Sequence, residues 1–476
     1  MVRRVTPALI AIVIAALLLP VETAPAQDWP QWRGPNRAAT VAGFTAPAAW
    51  PKELTKKWQV TVGDGVSTPA LVGGKLYVFT LQDGKEIVRC LDAASGNEVW
   101  RKSYEAEGAT GPAGGFAGPR CSPTFADAKV VTFGVRGMLT CFDAASGDQL
   151  WQKNDFPESW PMFFTSSSPI VVDGICVTQQ GGRRDGGVIA YDLATGTEKW
   201  RWMEAGPSYG SPVVMEVDGT KVIIAPTDGK LVALGVADGK LLWEMPYSQG
   251  RYNSATPIVD GSTLILAGPG SGMTAFKMQT QGDKLVEEKL WANTDNSIGF
   301  NTPVVAKGLL FGLSSGNQLF CINTETKSTA WSAPIAKAAP GGEDPPKDSV
   351  GASRGSVVPA VFVQFVQQEG KDQPKDQPED RPRGEFERGP RRGDGRGRFG
   401  RGGMGSRGYG SIVDVGSALV ALTPAGELVV FQSAGEAFNE LARYKVAERG
   451  TYAYPVPSGN GVYVKDQDAL TLWTVE

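Results

Sequence analysis

One phrase returns along this chain at near-even spacing, and it dictates the architecture. Cys90–Trp100 reads CLDAASGNEVW, Cys141–Trp151 reads CFDAASGDQLW, and Ala190–Trp200 reads AYDLATGTEKW. Ala233–Trp243 (ALGVADGKLLW) and Cys321–Trp331 (CINTETKSTAW) are further copies. Tryptophans stand at 58, 100, 151, 200, 243, 291 and 331, in steps of 40 to 51 residues. A period of that size with alternating apolar flanks is the mark of a β-propeller, in which each repeat forms one four-stranded blade. Within the phrase, an apolar run ends at Asp92, Asp143 or Asp192, whose carboxylate can accept from turn amides. Gly96, Gly147 and Gly196 follow four residues later and can take the positive φ of a hairpin loop. The closing Trp is then expected to pack between neighbouring blades.

A second mark precedes each hairpin: Thr68-Pro69, Ser122-Pro123, Ser168-Pro169, Ser211-Pro212, Thr256-Pro257 and Thr302-Pro303, with Tyr454-Pro455 in the last repeat. Proline cannot donate to a ladder and is confined to strand edges and starts, so the mark places the start of the innermost strand of each blade. An eighth start falls at Gly410-Ser411-Ile412, without proline. The fold expected is therefore all-β, an eight-bladed β-propeller of four-stranded antiparallel blades. The chain ends on what should be the third strand of the last blade. The segment Lys56–Val62, carrying Trp58, is a fourth strand with no blade of its own. It should complete that blade, with Trp58 near Leu472, and so close the ring and remove two exposed sheet edges.

The segments outside the repeat divide the chain further. Residues 1–26, with Arg3-Arg4, an apolar run from Ala8 to Leu19 and the small-residue pattern Ala24-Pro25-Ala26, resemble a cleaved secretory signal peptide. That run is short for a transmembrane helix, and no Cys lies beside it for lipid attachment. Residues 27–55, opening on DWPQWRGPN, are expected to form an ordered cap anchored by Trp29 and Trp32. Residues 56–333 hold blades 1–6 with the closing strand, and 410–476 hold blades 7 and 8. Between them, 334–409 is a low-complexity insertion rich in Gly and charge, with seven Arg and one acidic residue from Arg388 to Arg407, and disorder is expected there. Without it, each blade receives about 47 residues, a typical blade length.

Composition limits the chemistry. The chain contains no His, which removes His-dependent nucleophile systems and His-containing metal sites. The formal net charge of −3 offers no global field for nucleic acid, and no nucleic-acid partner is expected. The Gly-rich stretch Gly181–Gly187 joins two strands and lacks the helix that a phosphate cradle needs. Five Cys cannot all pair. Cys90, Cys141 and Cys321 occupy the small-residue position that Ala190 and Ala233 hold elsewhere, while a disulfide involving Cys121 or Cys176 stays open. No catalytic or metal residues are assigned. Candidate ligand contacts are Arg120, Arg251, Asn253 and Asn301, which lie just before the innermost strands, at the channel mouth.

The repeat Leu-Asp-Ala-x-x-Gly-x-x-x-Trp with its preceding Ser/Thr-Pro resembles the PQQ-like β-propeller repeat, over about residues 54–333 and 410–476. That superfamily includes quinoprotein alcohol dehydrogenases and BamB-type envelope assembly proteins. WPQWRGPN and the stretch from Thr451 to Leu470 are similar to secreted PQQ-repeat proteins of planctomycete-type bacteria. The resemblance implies the propeller; the motif builds blades and does not by itself carry an activity. Quinoprotein dehydrogenases carry an adjacent-cysteine disulfide over the quinone, and this chain has no adjacent Cys pair. The function expected is a non-catalytic secreted or periplasmic binding scaffold, meeting a protein or polymer partner on one propeller face, with no cofactor. The alternatives are an oxidoreductase using PQQ with calcium, and a carbohydrate- or polymer-binding propeller.

Overall fold

A computed structural model describes residues 27–249, 253–268, 271–335 and 409–476. The signal-peptide expectation for 1–26, the candidate Arg251 and nearly all of the 334–409 insertion lie outside the described residues. Eight antiparallel sheets of four strands each follow one another along the chain. Blade 1 runs Ala70–Val72, Lys75–Gln82, Lys85–Asp92 and Glu98–Glu105 from the channel outward. The innermost strands of blades 2 to 7 begin at Thr124, Ile170, Val213, Ile258, Val304 and Ser411. Blade 8 takes three strands from the end of the chain, Val456–Ser458, Gly461–Lys465 and Ala469–Thr474, and its outermost strand, Thr55–Thr61, from the beginning. Trp58 sits opposite Leu472, so the ring closes in the register read from the sequence.

The repeated phrase works as expected, with one addition. Asp92, Asp143 and Asp192 accept from the amides of Ser95, Ser146 and Thr195 at 2.9–3.1 Å. Hydrogen bonds from those same residues hold the carboxyls below their usual range. Each Trp lies across the next blade. The indoles of Trp58, Trp100, Trp151 and Trp200 donate to the carbonyls of Ala93, Ala144, Leu193 and Val236 at 2.9–3.1 Å. Gly96, Gly147, Gly196 and Gly239 lie under those four rings. A Cβ at any of them would come within 2.5–2.8 Å of indole carbons. The hairpin glycine thus answers two demands at once, a left-handed backbone and a flat bed for an indole. The addition is a one-residue bulge in the outer strand of every blade, immediately before the Trp position. It turns Val99 and Leu150 outward to 50% and 46% exposure and breaks the regularity of each outer edge.

The cysteines follow from the same geometry. Cys90, Cys141 and Cys321 stand directly across the strand from Trp100, Trp151 and Trp331, where a small side chain makes room for the indole. All five thiols are buried and free, so the disulfide left open for Cys121 or Cys176 is not formed. Cys121 instead directs its thiol at the Ser167 carbonyl, 3.4 Å away, and burial pushes its pKa up to about 12.

Candidate functional site: a sealed channel end and an open loop face

The Ser/Thr-Pro marks build a belt around the channel. The amide of Tyr454 donates to the Thr68 hydroxyl (2.9 Å), Thr68 to Ser122 (3.1 Å), and Ser122 to Ser168 (2.9 Å). Ser168 donates to Ser211 (2.9 Å), Ser211 to Thr256 (3.2 Å), and Thr256 to Thr302 (3.1 Å). The hydroxyl is therefore as necessary as the proline. Ahead of six of the eight innermost strands stands an amide that has no ladder partner, and the neighbouring blade supplies a hydroxyl acceptor.

The segment before the closing strand fills one end of this channel and is tied to all eight blades. Trp29 is fully buried and pairs through its backbone with Leu71 of blade 1, and the Pro30 carbonyl accepts from Phe125 of blade 2. Arg37 reaches the carbonyls of Ser168 and Pro169 in blade 3 and of Pro212 in blade 4. The Trp32 indole donates to Thr256 in blade 5 (3.3 Å), and Arg33 to the Thr302 and Pro303 carbonyls in blade 6 (2.9 and 2.8 Å). Ala39 and Val41 bracket Asp414 of blade 7, and Thr45 donates to Gly459 of blade 8. In blades 1, 7 and 8 the segment meets Leu71, Asp414 and Gly459, toward the ends of the innermost strands, so it enters from the side on which the blades make their first turn, while Trp32, Arg33 and Arg37 reach along the channel to the strand starts of blades 3 to 6. Trp29 and Trp32 do anchor it, but its deepest side chains include Arg33 and Arg37, at 0% and 4% exposure.

The opposite face carries the loops between blades. There Phe116, Tyr452, Tyr409 and Phe300 form a continuous arc of rings, with centroids 4.6, 4.2 and 4.7 Å apart. These residues come from four separate loops and meet only because the ring is closed. Next to blades 3 and 4 a cleft of about 380 Å³ is lined by Trp160, Met162, Arg183, Tyr209, Asp228 and Asn253 among others. Six large apolar side chains are exposed among the described residues, and three of them, Met162 (70%), Phe300 (44%) and Met203 (39%), belong to this face. The other three, Val99, Leu150 and Leu441, are the outward-turned residues of strand bulges.

The described sequence candidates, Arg120, Asn253 and Asn301, are spread over this loop face rather than gathered at one point. Arg120 donates to the Ala113 and Phe116 carbonyls at 3.0 and 2.9 Å and so shapes the loop that presents Phe116; burial lowers its pKa. Asn253 lines the cleft and donates to the Thr227 and Tyr247 carbonyls at 2.9 and 3.2 Å. Asn301 is buried and donates to the Leu313 carbonyl at 2.7 Å. Sequence reasoning did not single out Met162, Tyr209, Phe300, Tyr409 or Tyr452. The one available signal was an excess of aromatic residues in inter-blade loops, which need none for folding. Among the described residues no three Asp, Glu or Cys side chains gather as a metal-ligand set, and no helix is long and apolar enough to cross a membrane.

Comparison with known proteins agrees with the architecture. The family model described as outer membrane protein assembly factor BamB matches residues 40–184 and, in an overlapping placement, 84–333. The outer membrane protein assembly factor BamB of Shewanella oneidensis is 25% identical over 301 residues, covering 58% of this chain and 69% of that protein. The quinohemoprotein alcohol dehydrogenase of Comamonas testosteroni is 29% identical over 161 residues, 33% of this chain but only 22% of the dehydrogenase. Among solved structures, BamB from Moraxella catarrhalis superposes with a TM-score of 0.56 at 13% identity, over 88% of this chain and 99% of that one. At that identity the likeness speaks for the fold alone.

Proposed function

We propose that this chain, which belongs to the outer membrane protein assembly factor BamB family, is a non-catalytic scaffold that docks a protein partner in the cell envelope through its loop face. The observation that carries this reading is the asymmetry of the disc. One face is closed by the chain's own N-terminal segment, while the other exposes Met162, Met203 and Phe300, the last of them a member of an arc of four aromatic rings. Exposed apolar and aromatic groups gathered on one face, apart from the single residues turned out at strand bulges, mark an interaction surface. Asn253 and Arg120 serve that surface by holding its loops, and Asn301 belongs to the same set of inter-blade loops. A periplasmic or secreted location, reached through the signal peptide at 1–26, fits such a partner.

The second reading is an oxidoreductase using pyrroloquinoline quinone with calcium, and the dehydrogenase match favours it. Titration of the purified protein with the quinone and calcium separates the two, followed by tryptophan fluorescence and a dye-coupled alcohol or sugar oxidation assay. The scaffold reading expects neither quenching nor turnover. Saturable quenching with turnover overturns it.

A further inference from the structure

The sealed channel end has a chemistry of its own. The five N–H donors of Arg33 meet five acceptors: the Arg37 and Ala38 carbonyls, the Thr302 and Pro303 carbonyls, and the Tyr454 hydroxyl at 2.6 Å. Arg37 donates to the Gln31 side chain at 3.0 Å and to the carbonyls of Ser168, Pro169 and Pro212. Neither guanidinium forms an ion pair with a carboxylate among the described residues. Burial lowers the Arg37 pKa to about 9. A segment needed only to fill space would fill it with apolar side chains, because buried charge carries a large desolvation cost. What these guanidiniums supply is a planar fork that spans two blades at once: Arg37 holds carbonyls of blades 3 and 4, and Arg33 holds carbonyls of blade 6 together with the Tyr454 hydroxyl of blade 8.

The segment is also held by hydrogen bonds of its own. Gly34 donates to the Gln31 carbonyl, Arg37 to the Gly34 carbonyl and Ala39 to the Arg33 carbonyl, at 2.8–3.2 Å. Gly34 takes φ +79°, and a Cβ there would press on the Trp29 ring at 3.2 Å. The stretch Gln31–Arg37 is thus a compact turn that projects two arginines, a form that loses little freedom on binding.

We propose that this end of the channel is a peptide-binding site with two guanidinium sockets, occupied in cis by Gln31–Arg37, and that filling the sockets locks the belt of innermost strands. The carbonyls that bind the guanidiniums belong to the same Ser/Thr-Pro pairs whose amides and hydroxyls form the belt. Binding in the sockets therefore acts on ring closure itself. The proposal concerns the sealed face and does not depend on the partner-docking reading of the loop face.

The test uses the full chain with Arg33→Ala, Arg37→Ala and each Arg→Lys. Removing hydrogen bonds to a charged group should raise local opening by about ten- to a hundredfold. That rise is expected in hydrogen exchange at the Ser168 and Ser211 amides for Arg37 variants and at Thr256 and Tyr454 for Arg33 variants. Trypsin should then release the segment before residue 50. Ethylguanidinium at millimolar concentration should restore protection in each Ala variant and leave the unsubstituted protein unchanged. Lys should fail to restore it, because a point charge cannot span two blades. Unchanged exchange in the Ala variants, or full protection with Lys, overturns the proposal. If an Ala variant does not fold, the Lys variants decide by the same exchange measurement.

Discussion

Gly74→Ala and Gly147→Ala form a matched pair that isolates what the repeated phrase is for. Both glycines are left-handed, with φ of 73° and 75°. A Cβ on Gly74 meets nothing within 4 Å, whereas on Gly147 it lands 2.6 Å from Cε3 and 2.7 Å from Cδ2 of Trp100. Gly74→Ala should therefore bear only the left-handed backbone cost, roughly 1–2 kcal/mol. Gly147→Ala bears the same cost and must also displace an indole held by its bond to the Ala144 carbonyl (3.0 Å) and packed on Tyr77 (ring centroids 6.1 Å). Overpacking of that kind adds about 1–3 kcal/mol. Urea unfolding followed by tryptophan fluorescence and circular dichroism measures both losses. A cycle with Trp100→Ala supplies the control: once the ring is gone, Gly147→Ala should cost no more than Gly74→Ala. Equal losses for the two glycines in the intact protein, or no coupling between Gly147 and Trp100, would refute the account of the hairpin glycine.

Three further outcomes are expected. Glu86, buried in blade 1 with its carboxylate accepting from the Val135 amide of blade 2 at 2.6 Å, has its pKa raised by burial from 4.5 to about 7. The protonated form is thus favoured in the fold: stability is fully present below pH 4.5 and falls by about 3 kcal/mol as pH rises through 7. Glu86→Gln should flatten that fall in melting temperature, and an unchanged pH profile would count against it. Gln59→Cys with Thr471→Cys, paired across the closing strand, should form a disulfide under mild oxidation; failure there and at Trp58 with Leu472 would deny the closure. Met162→Asp and Phe300→Asp, at 70% and 44% exposed positions, should leave the melting temperature within a few degrees while weakening partner binding. A large loss of stability would place these side chains in the core instead.

The blade count, the strand starts and the closing strand were legible because each is written in a local pattern that repeats. Asp-x-x-x-Gly-x-x-x-Trp fixes a hairpin, Ser/Thr-Pro fixes a strand start, and Trp58 stood out as a strand without a blade. The bulge before each Trp was hidden, since Val99 and Leu150 look like ordinary strand residues until their pairing is known. The hydroxyl of the Ser/Thr-Pro mark was visible, but proline alone explained a strand start, so the belt went unread. Arg33 and Arg37 were obscured for a stronger reason. Arginine in a polar, Gly- and Pro-containing segment ordinarily faces water, and only the ring brings together the carbonyls that bury these two. The loop face shows the same limit. Phe116, Phe300, Tyr409 and Tyr452 lie in four loops with no shared spacing, so no periodicity could assemble them.

Site-specific photocrosslinking in cells tests the central claim most directly, with the photoreactive residue placed at Met162 or Phe300 on the loop face and at Ser95 or Asp148 on the opposite face. The account predicts one discrete adduct, shared by the two loop-face positions and lacking from the other two. Adducts formed only from Ser95 and Asp148 would contradict it and move the docking surface to the sealed side of the disc.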